Sequence, residues 1–161
     1  MPTSKTLLLV RHAKSSWEDA DLDDIDRPLN KRGVRDAPEM GRRLSGRSLI
    51  PDLIVTSPAV RALMTASAIA REVSDTASVV IEEGLYAAAP QDVLDIVADF
   101  DDGFQTALVV GHNPTMTQLA NSFSSAPIEN VPTCGMLFLE ATMWSSAGAA
   151  RLLDFDYPKK T

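Results

Sequence analysis

Thr6-Leu7-Leu8-Leu9-Val10 runs straight into Arg11-His12 near the start of the chain. An unbroken apolar run of this length reads as a strand buried on both faces, as strands of parallel sheets are. The polar pair then falls at its carboxyl end. The same grammar recurs downstream. Leu53 to Thr56 is a second short strand, Ser78 to Ile81 a third, and Thr106 to Val110 a fourth that ends in Gly111-His112. Helical periodicity fills the spaces between them. Asn30 to Arg47 is a helix capped by Asn30, with Val34, Ala37, Met40, Gly41 and Leu44 on one face. Ser57-Pro58 reads as a cap and first-turn proline for a helix striped by Ala62, Leu63, Ala66, Ile69, Ala70 and Val73. Gln91 to Phe100 is a third helix, and Asn113-Pro114 opens a fourth through Leu119 to about Phe123. Met136 to Ala141 and Arg151 to Phe155 are two final strands, with Ser-Ser-Ala-Gly between them short enough for an antiparallel hairpin.

This alternation predicts an α/β three-layer sandwich around a mostly parallel sheet of about six strands, which binds ligands beyond the carboxyl ends of its strands. The 161 residues, 45% hydrophobic, suit one domain over 1–161. A formal charge of −7 argues against nucleic acid and membrane surfaces as partners. Two histidines and the single Cys134 cannot build an ordinary Cys/His zinc cluster, so no metal or other cofactor is expected. No apolar run approaches the roughly 20 residues of a membrane span, and a reduced, cytoplasmic compartment is the default.

Against that acidic background, the cations at the strand ends need explaining. Arg11 and His12 end the first strand, Arg61 lies in the first turn after the second, and His112 ends the fourth. Arginine forks match phosphate oxygens, and helix N-termini aim amides at the same edge. Taken singly, each residue has an ordinary structural reading, such as Arg61 pairing with Glu72 or Asp52. Together they outline a phosphate pocket. The loop from Ser15 to Pro28 holds six acids (Glu18, Asp19, Asp21, Asp23, Asp24 and Asp26) and reads as a solvated connection. Ala126 to Gly135 is irregular, Cys134 a packing residue, and Trp17 and Trp144 loop and strand packing.

Four motifs then resemble one family. Leu9-Val10-Arg11-His12-Ala13-Lys14-Ser15-Ser16-Trp17 resembles the R-H-G signature of the histidine phosphatase (phosphoglycerate-mutase-like) superfamily, in the alanine variant of its SixA-type phosphohistidine phosphatases. Asp26-Arg27-Pro28-Leu29 with Lys31-Arg32-Gly33, Thr56-Ser57-Pro58-Ala59-Val60-Arg61-Ala62 with Thr65-Ala66, and Val110-Gly111-His112-Asn113-Pro114 follow in the family's order. They span residues 7 to 116, about two thirds of the chain.

The resemblance implies a phosphoglycerate mutase-like fold and a phosphatase that works without metal through a phosphohistidine on His12. Arg11, Arg61 and His112 would complete the phosphate pocket, with Ser15 and Arg27 as further phosphate contacts. The family's general acid has one candidate here, Glu83, in the register that aligns Tyr86. The other register, on Leu85, puts Ala87 there. Glu18 stands where many mutase-type members have Asn, and Asn113 where phytase-like members have Asp. A weak acid suits a phosphoramidate, because imidazole leaves more readily than an alkoxide. The expected partner is therefore a protein bearing phosphohistidine, such as a histidine-phosphotransfer protein. A phosphatase of a small phosphate-ester metabolite is the alternative, and a phosphate-binding module without turnover a more remote one.

Overall fold

Residues along the first strand bury alternately on two sides of one sheet, and two cores result. The computed structural model describes residues 4–74 and 77–160. Residues 1–3, 75, 76 and 161, which the expected 1–161 domain includes, lie outside the described residues. The order of elements is β1 (Lys5–Arg11), α1 (Lys31–Gly46), β2 (Leu53–Thr56), α2 (Val60–Val73), β3 (Ser78–Ile81), α3 (Pro90–Ala98), β4 (Thr106–Gly111), α4 (Thr115–Phe123), β5 (Met136–Ala141) and β6 (Arg151–Asp156). Leu8 and Val10 of β1, with Leu108 and Val110 of β4, face a core closed by Ala37, Met40 and Leu44 of α1 and Ala62, Ala66 and Ile69 of α2. Leu7, Leu9, Ala107 and Val109 face the other core, closed by Val93 and Val97 of α3, Met116 and Leu119 of α4, and Trp144. Burial on both faces is why these strands carry no polar alternation.

The six strands form one sheet in the order β3-β2-β4-β1-β5-β6. β3, β2, β4 and β1 are parallel, whereas β5 runs antiparallel to β1 and β6 antiparallel to β5. The carboxyl ends of the parallel strands are level, with Arg11 opposite Gly111 and Thr56 opposite Val110. That register puts the segments after β1, β2 and β4 side by side.

Local details differ from expectation in four places. Asn30 does cap α1, accepting from the Gly33 amide at 3.0 Å, but Val34 is 55% exposed. Gly33 takes its place on the buried face, because a side chain there would collide with the Lys14 carbonyl. Neither proline-bearing turn caps its helix as expected: α2 begins at Val60 after Ala59, and α4 at Thr115 after Pro114. Ser57 instead accepts from the Ala59 amide at 3.2 Å, and Asn113 from the Thr117 amide at 3.0 Å. β5 and β6 pair as an antiparallel hairpin, but a 3-10 turn over Trp144–Ala149 joins them. Trp144 is buried there and donates its indole N–H to the Asp101 carbonyl at 3.2 Å. Trp17, expected to pack in its loop, is 73% exposed, and the Arg27 guanidinium covers its ring at 3.3 Å.

Candidate active site

His12 follows β1 directly and is fixed by its backbone before its ring is considered. Its amide donates to the Gly111 carbonyl at 3.1 Å, and its carbonyl accepts from the Cys134 amide at 3.0 Å. Cys134 makes this contact from a left-handed backbone (φ 62). Its thiol is buried, and burial pushes it up to about 12, in keeping with a packing role. The His12 Nδ1 lies 2.7 Å from the Ala13 carbonyl oxygen. A carbonyl only accepts, so Nδ1 carries the proton and Nε2 is the unprotonated nitrogen. Burial, followed by the neighbouring positive groups, lowers the His12 pKa to about 3, although the Ala13 hydrogen bond opposes this. Near neutral pH the imidazole is uncharged with its tautomer fixed.

Arg61, in the first turn of α2, donates from Nε toward His12 Nε2 at 3.3 Å. Thr65 joins the two elements, accepting from the Ala13 amide at 2.9 Å and donating to the Arg61 carbonyl at 2.7 Å. The partner of Arg61 is neither Glu72 nor Asp52 but Asp24. Nη1 donates to the Asp24 carbonyl at 2.6 Å and Nη2 to its Oδ2 at 2.9 Å. Glu72 reaches Arg42 instead, and Asp52 accepts from the amides of Gln105 and Thr106.

His112 follows β4 directly, with its ring centroid 5.2 Å from that of His12. Its Nε2 lies 2.7 Å from Ser57 Oγ. Ser57 is buried and its hydroxyl proton has no other acceptor among the described residues, so it points to Nε2 and leaves Nδ1–H as a donor. Burial first, then Arg61, lowers His112 to about 4. Arg11 donates from Nη1 to the Val131 carbonyl at 2.8 Å, and its charge depresses both histidines. Arg11 Nε and His112 Nδ1 are buried and have no hydrogen-bond partner among the described residues. Buried donors left open in this way are what an oxyanion needs.

Of the remaining predicted residues, Ser15 and Arg27 pair with each other, and Glu83 is exposed. Ser15 and Arg27 are both buried, and Arg27 Nη2 donates to Ser15 Oγ. The other two Arg27 nitrogens reach the Ser16 carbonyl and Asp24 Oδ1, each at 3.0 Å. Arg27 therefore ties down the acidic loop. Glu83 opens a 3-10 turn over Glu83–Leu85 with its side chain exposed. The turn delivers Tyr86, whose ring meets His112 edge-on at 5.6 Å and whose hydroxyl donates to Asp24 Oδ2 at 2.7 Å. Beside His112 a cleft of about 300 Å³ is floored by Leu85, Val93 and Met116 and edged by Ala87, Ala88 and Ala89.

Sequence reasoning missed Asp24, Ser57 and Thr65. Thr65 was visible only as a motif letter, and Ser57 read as a helix cap. The loop holding Asp24 is correspondingly more than a solvated connection, since this one acid, though half exposed, accepts from Arg61, Arg27 and Tyr86.

Two arginines and two neutral histidines gathered at the carboxyl edge of a mostly parallel sheet are the groups that phosphoryl chemistry needs. Residues 7–88 match the histidine phosphatase superfamily (branch 1), and the chain belongs to that family as one of its phosphatases. It is 34% identical over 163 residues to an uncharacterised protein of Mycobacterium tuberculosis, covering 93% of this chain and 100% of that one. An uncharacterised chloroplastic protein of Arabidopsis thaliana is 32% identical over 157 residues, covering 91% of this chain and 72% of the relative. Among solved structures, the proposed phosphohistidine phosphatase SixA from Nakamurella multipartitia superimposes with a TM-score of 0.84 at 28% identity, covering 98% of each chain. The phosphoglycerate mutase-like architecture expected from the motifs is thus the fold observed.

Proposed function

We propose that this protein dephosphorylates phosphohistidine on another protein, through a phosphoryl group carried on His12 Nε2 and without a metal. The observation that carries the reading is the state of His12. It is neutral, its Nδ1–H is fixed by the Ala13 carbonyl, and its Nε2 faces the Arg61 guanidinium at 3.3 Å. Arg11 and Arg61 supply the charge, and neutral His112 a hydrogen bond, that stabilise the transferring phosphoryl group. Water then attacks phosphorus, the P–Nε2 bond breaks with its electron pair returning to Nε2, and phosphate leaves. Similarity to SixA proteins described as phosphohistidine phosphatases supports this substrate class. Ser15 and Arg27 hold the loop at the rim, within a cytoplasmic protein that acts on a phosphotransfer partner.

The cleft beside His112 favours a second reading, hydrolysis of a small phosphate ester whose alcohol fits about 300 Å³. Glu83 would then be the acid that protonates the leaving oxygen. The deciding experiment is a panel containing a phosphohistidine protein, free phosphohistidine, and aryl and alkyl phosphates, with His12→Ala as control. Phosphohistidine hydrolysis in preference to alkyl esters supports the proposal. Alkyl esters turned over equally well, or better, overturn it.

A further inference from the structure

Asp24 differs from the other acids of its loop in being built into the site. Its Oδ2 accepts from Arg61 at 2.9 Å and from the Tyr86 hydroxyl at 2.7 Å, while Oδ1 accepts from Arg27 at 3.0 Å. A carboxylate offers about four acceptor positions, so about one stays open. The side chain also keeps 50% of its surface in solvent. Its three donors come from three separate parts of the chain: α2, the loop after β3 and its own loop. They fix the direction of the carboxylate. The same Arg61 guanidinium touches His12 Nε2 through its Nε at 3.3 Å. Oδ2, with both of its donors, therefore stands one guanidinium's breadth from the attacking nitrogen, and the open position lies on Oδ1 of the same carboxylate.

In an in-line transfer, phosphorus lies between His12 Nε2 and the leaving atom. The leaving group then occupies the solvent side of the pocket, where Asp24 is exposed. We infer that Asp24 recognises the leaving group, its carboxylate accepting a hydrogen bond from the ring N–H of a phosphorylated imidazole, on the nitrogen that does not carry phosphorus. This rests on the phosphohistidine reading given above.

The electron balance shows why such a contact serves this substrate. With its second nitrogen protonated, the phosphorylated ring is cationic. The Nε2–P bond forms as the substrate P–N bond breaks, and the electron pair of that bond goes to the leaving nitrogen. The positive charge passes from the substrate ring to the His12 ring. The departing imidazole is neutral and already holds its proton, so no separate acid is required. Asp24 does for the substrate ring what the Ala13 carbonyl does for His12. It also opposes esters, because an alkoxide leaves with negative charge and has no N–H to offer.

The test is the ratio of kcat/KM on free phosphohistidine to kcat/KM on 4-nitrophenyl phosphate, for wild type, Asp24→Asn and Asp24→Ser. Loss of a charge-assisted hydrogen bond should lower this ratio about 10- to 100-fold in both variants. Asp24→Glu, which keeps the charge, should recover part of it. An unchanged ratio overturns the assignment, whether both activities fall together, because Asp24 merely orients Arg61, or neither falls. Wild-type protein without phosphohistidine activity overturns the proposed function along with it. The two failures are therefore distinguishable.

Discussion

His12 and His112 are neutral because folding buries them beside Arg61 and Arg11, and this has consequences for both rate and stability. His12→Ala should abolish turnover of every substrate. Arg61→Ala should cost on the order of 10²–10³ in kcat, the scale for losing one charge-stabilising donor. Steady-state assays with purified protein check both, and a normal melting curve shows that the variants remain folded. The acid stability follows from the direction of the shifts. Both folded-state values, about 3 and about 4, lie below the ordinary histidine value, so the unfolded chain takes up protons first as pH falls. Stability that is intact above about pH 6.5 should then decline toward pH 4, by up to about 1.4 kcal/mol per histidine per pH unit. Thermal or urea melts across that window measure it. Replacing both histidines with glutamine should flatten the decline.

The sheet positions these groups because β1, β2 and β4 end level and each hands its next residues to the same edge. Gly33 at the start of α1 is part of this arrangement, since a Cβ there would lie 2.3 Å from the Lys14 carbonyl oxygen, beside the loop that carries Ser15. Gly33→Ala should destabilise the protein by about 1–3 kcal/mol, the usual penalty for overpacking, and should lower activity because the strain falls on the segment next to His12. Denaturant melts and kcat/KM together read both effects. The central strands were legible because burial on both faces demands unbroken apolar runs such as Leu7 to Val10. The Asn30 cap and the edge positions of Arg11, His12, Arg61 and His112 were legible for similarly local reasons. Asp24 was not, because nothing in six closely spaced acids marks the one that a 3-10 turn aims at Arg61 and Tyr86. Ser57 was hidden too: beside a proline it looks like a cap, and only the fold brings His112 to its hydroxyl. Val34 misled through phase, since the burial of Gly33 depends on a backbone contact that no hydrophobic pattern encodes.

Two cores on either side of one sheet frame the proposed phosphate pocket at its edge, where buried Arg11 Nε and His112 Nδ1 have no partner among the described residues. A tetrahedral or trigonal-bipyramidal oxyanion such as orthovanadate should therefore bind the folded protein and raise its melting temperature. At about 100 times its dissociation constant, the added stability should be about 2.7 kcal/mol. Scanning calorimetry with increasing vanadate checks this, and the shift should disappear in Arg61→Ala. All of these expectations depend on covalent catalysis by His12, which can be observed directly. Rapid quenching of the protein with phosphohistidine substrate labelled on phosphorus should trap one phosphoryl group on His12 Nε2, stable in base and labile in acid, that forms and decays at rates consistent with turnover. Label on another residue, or undiminished turnover by His12→Ala, would contradict the account.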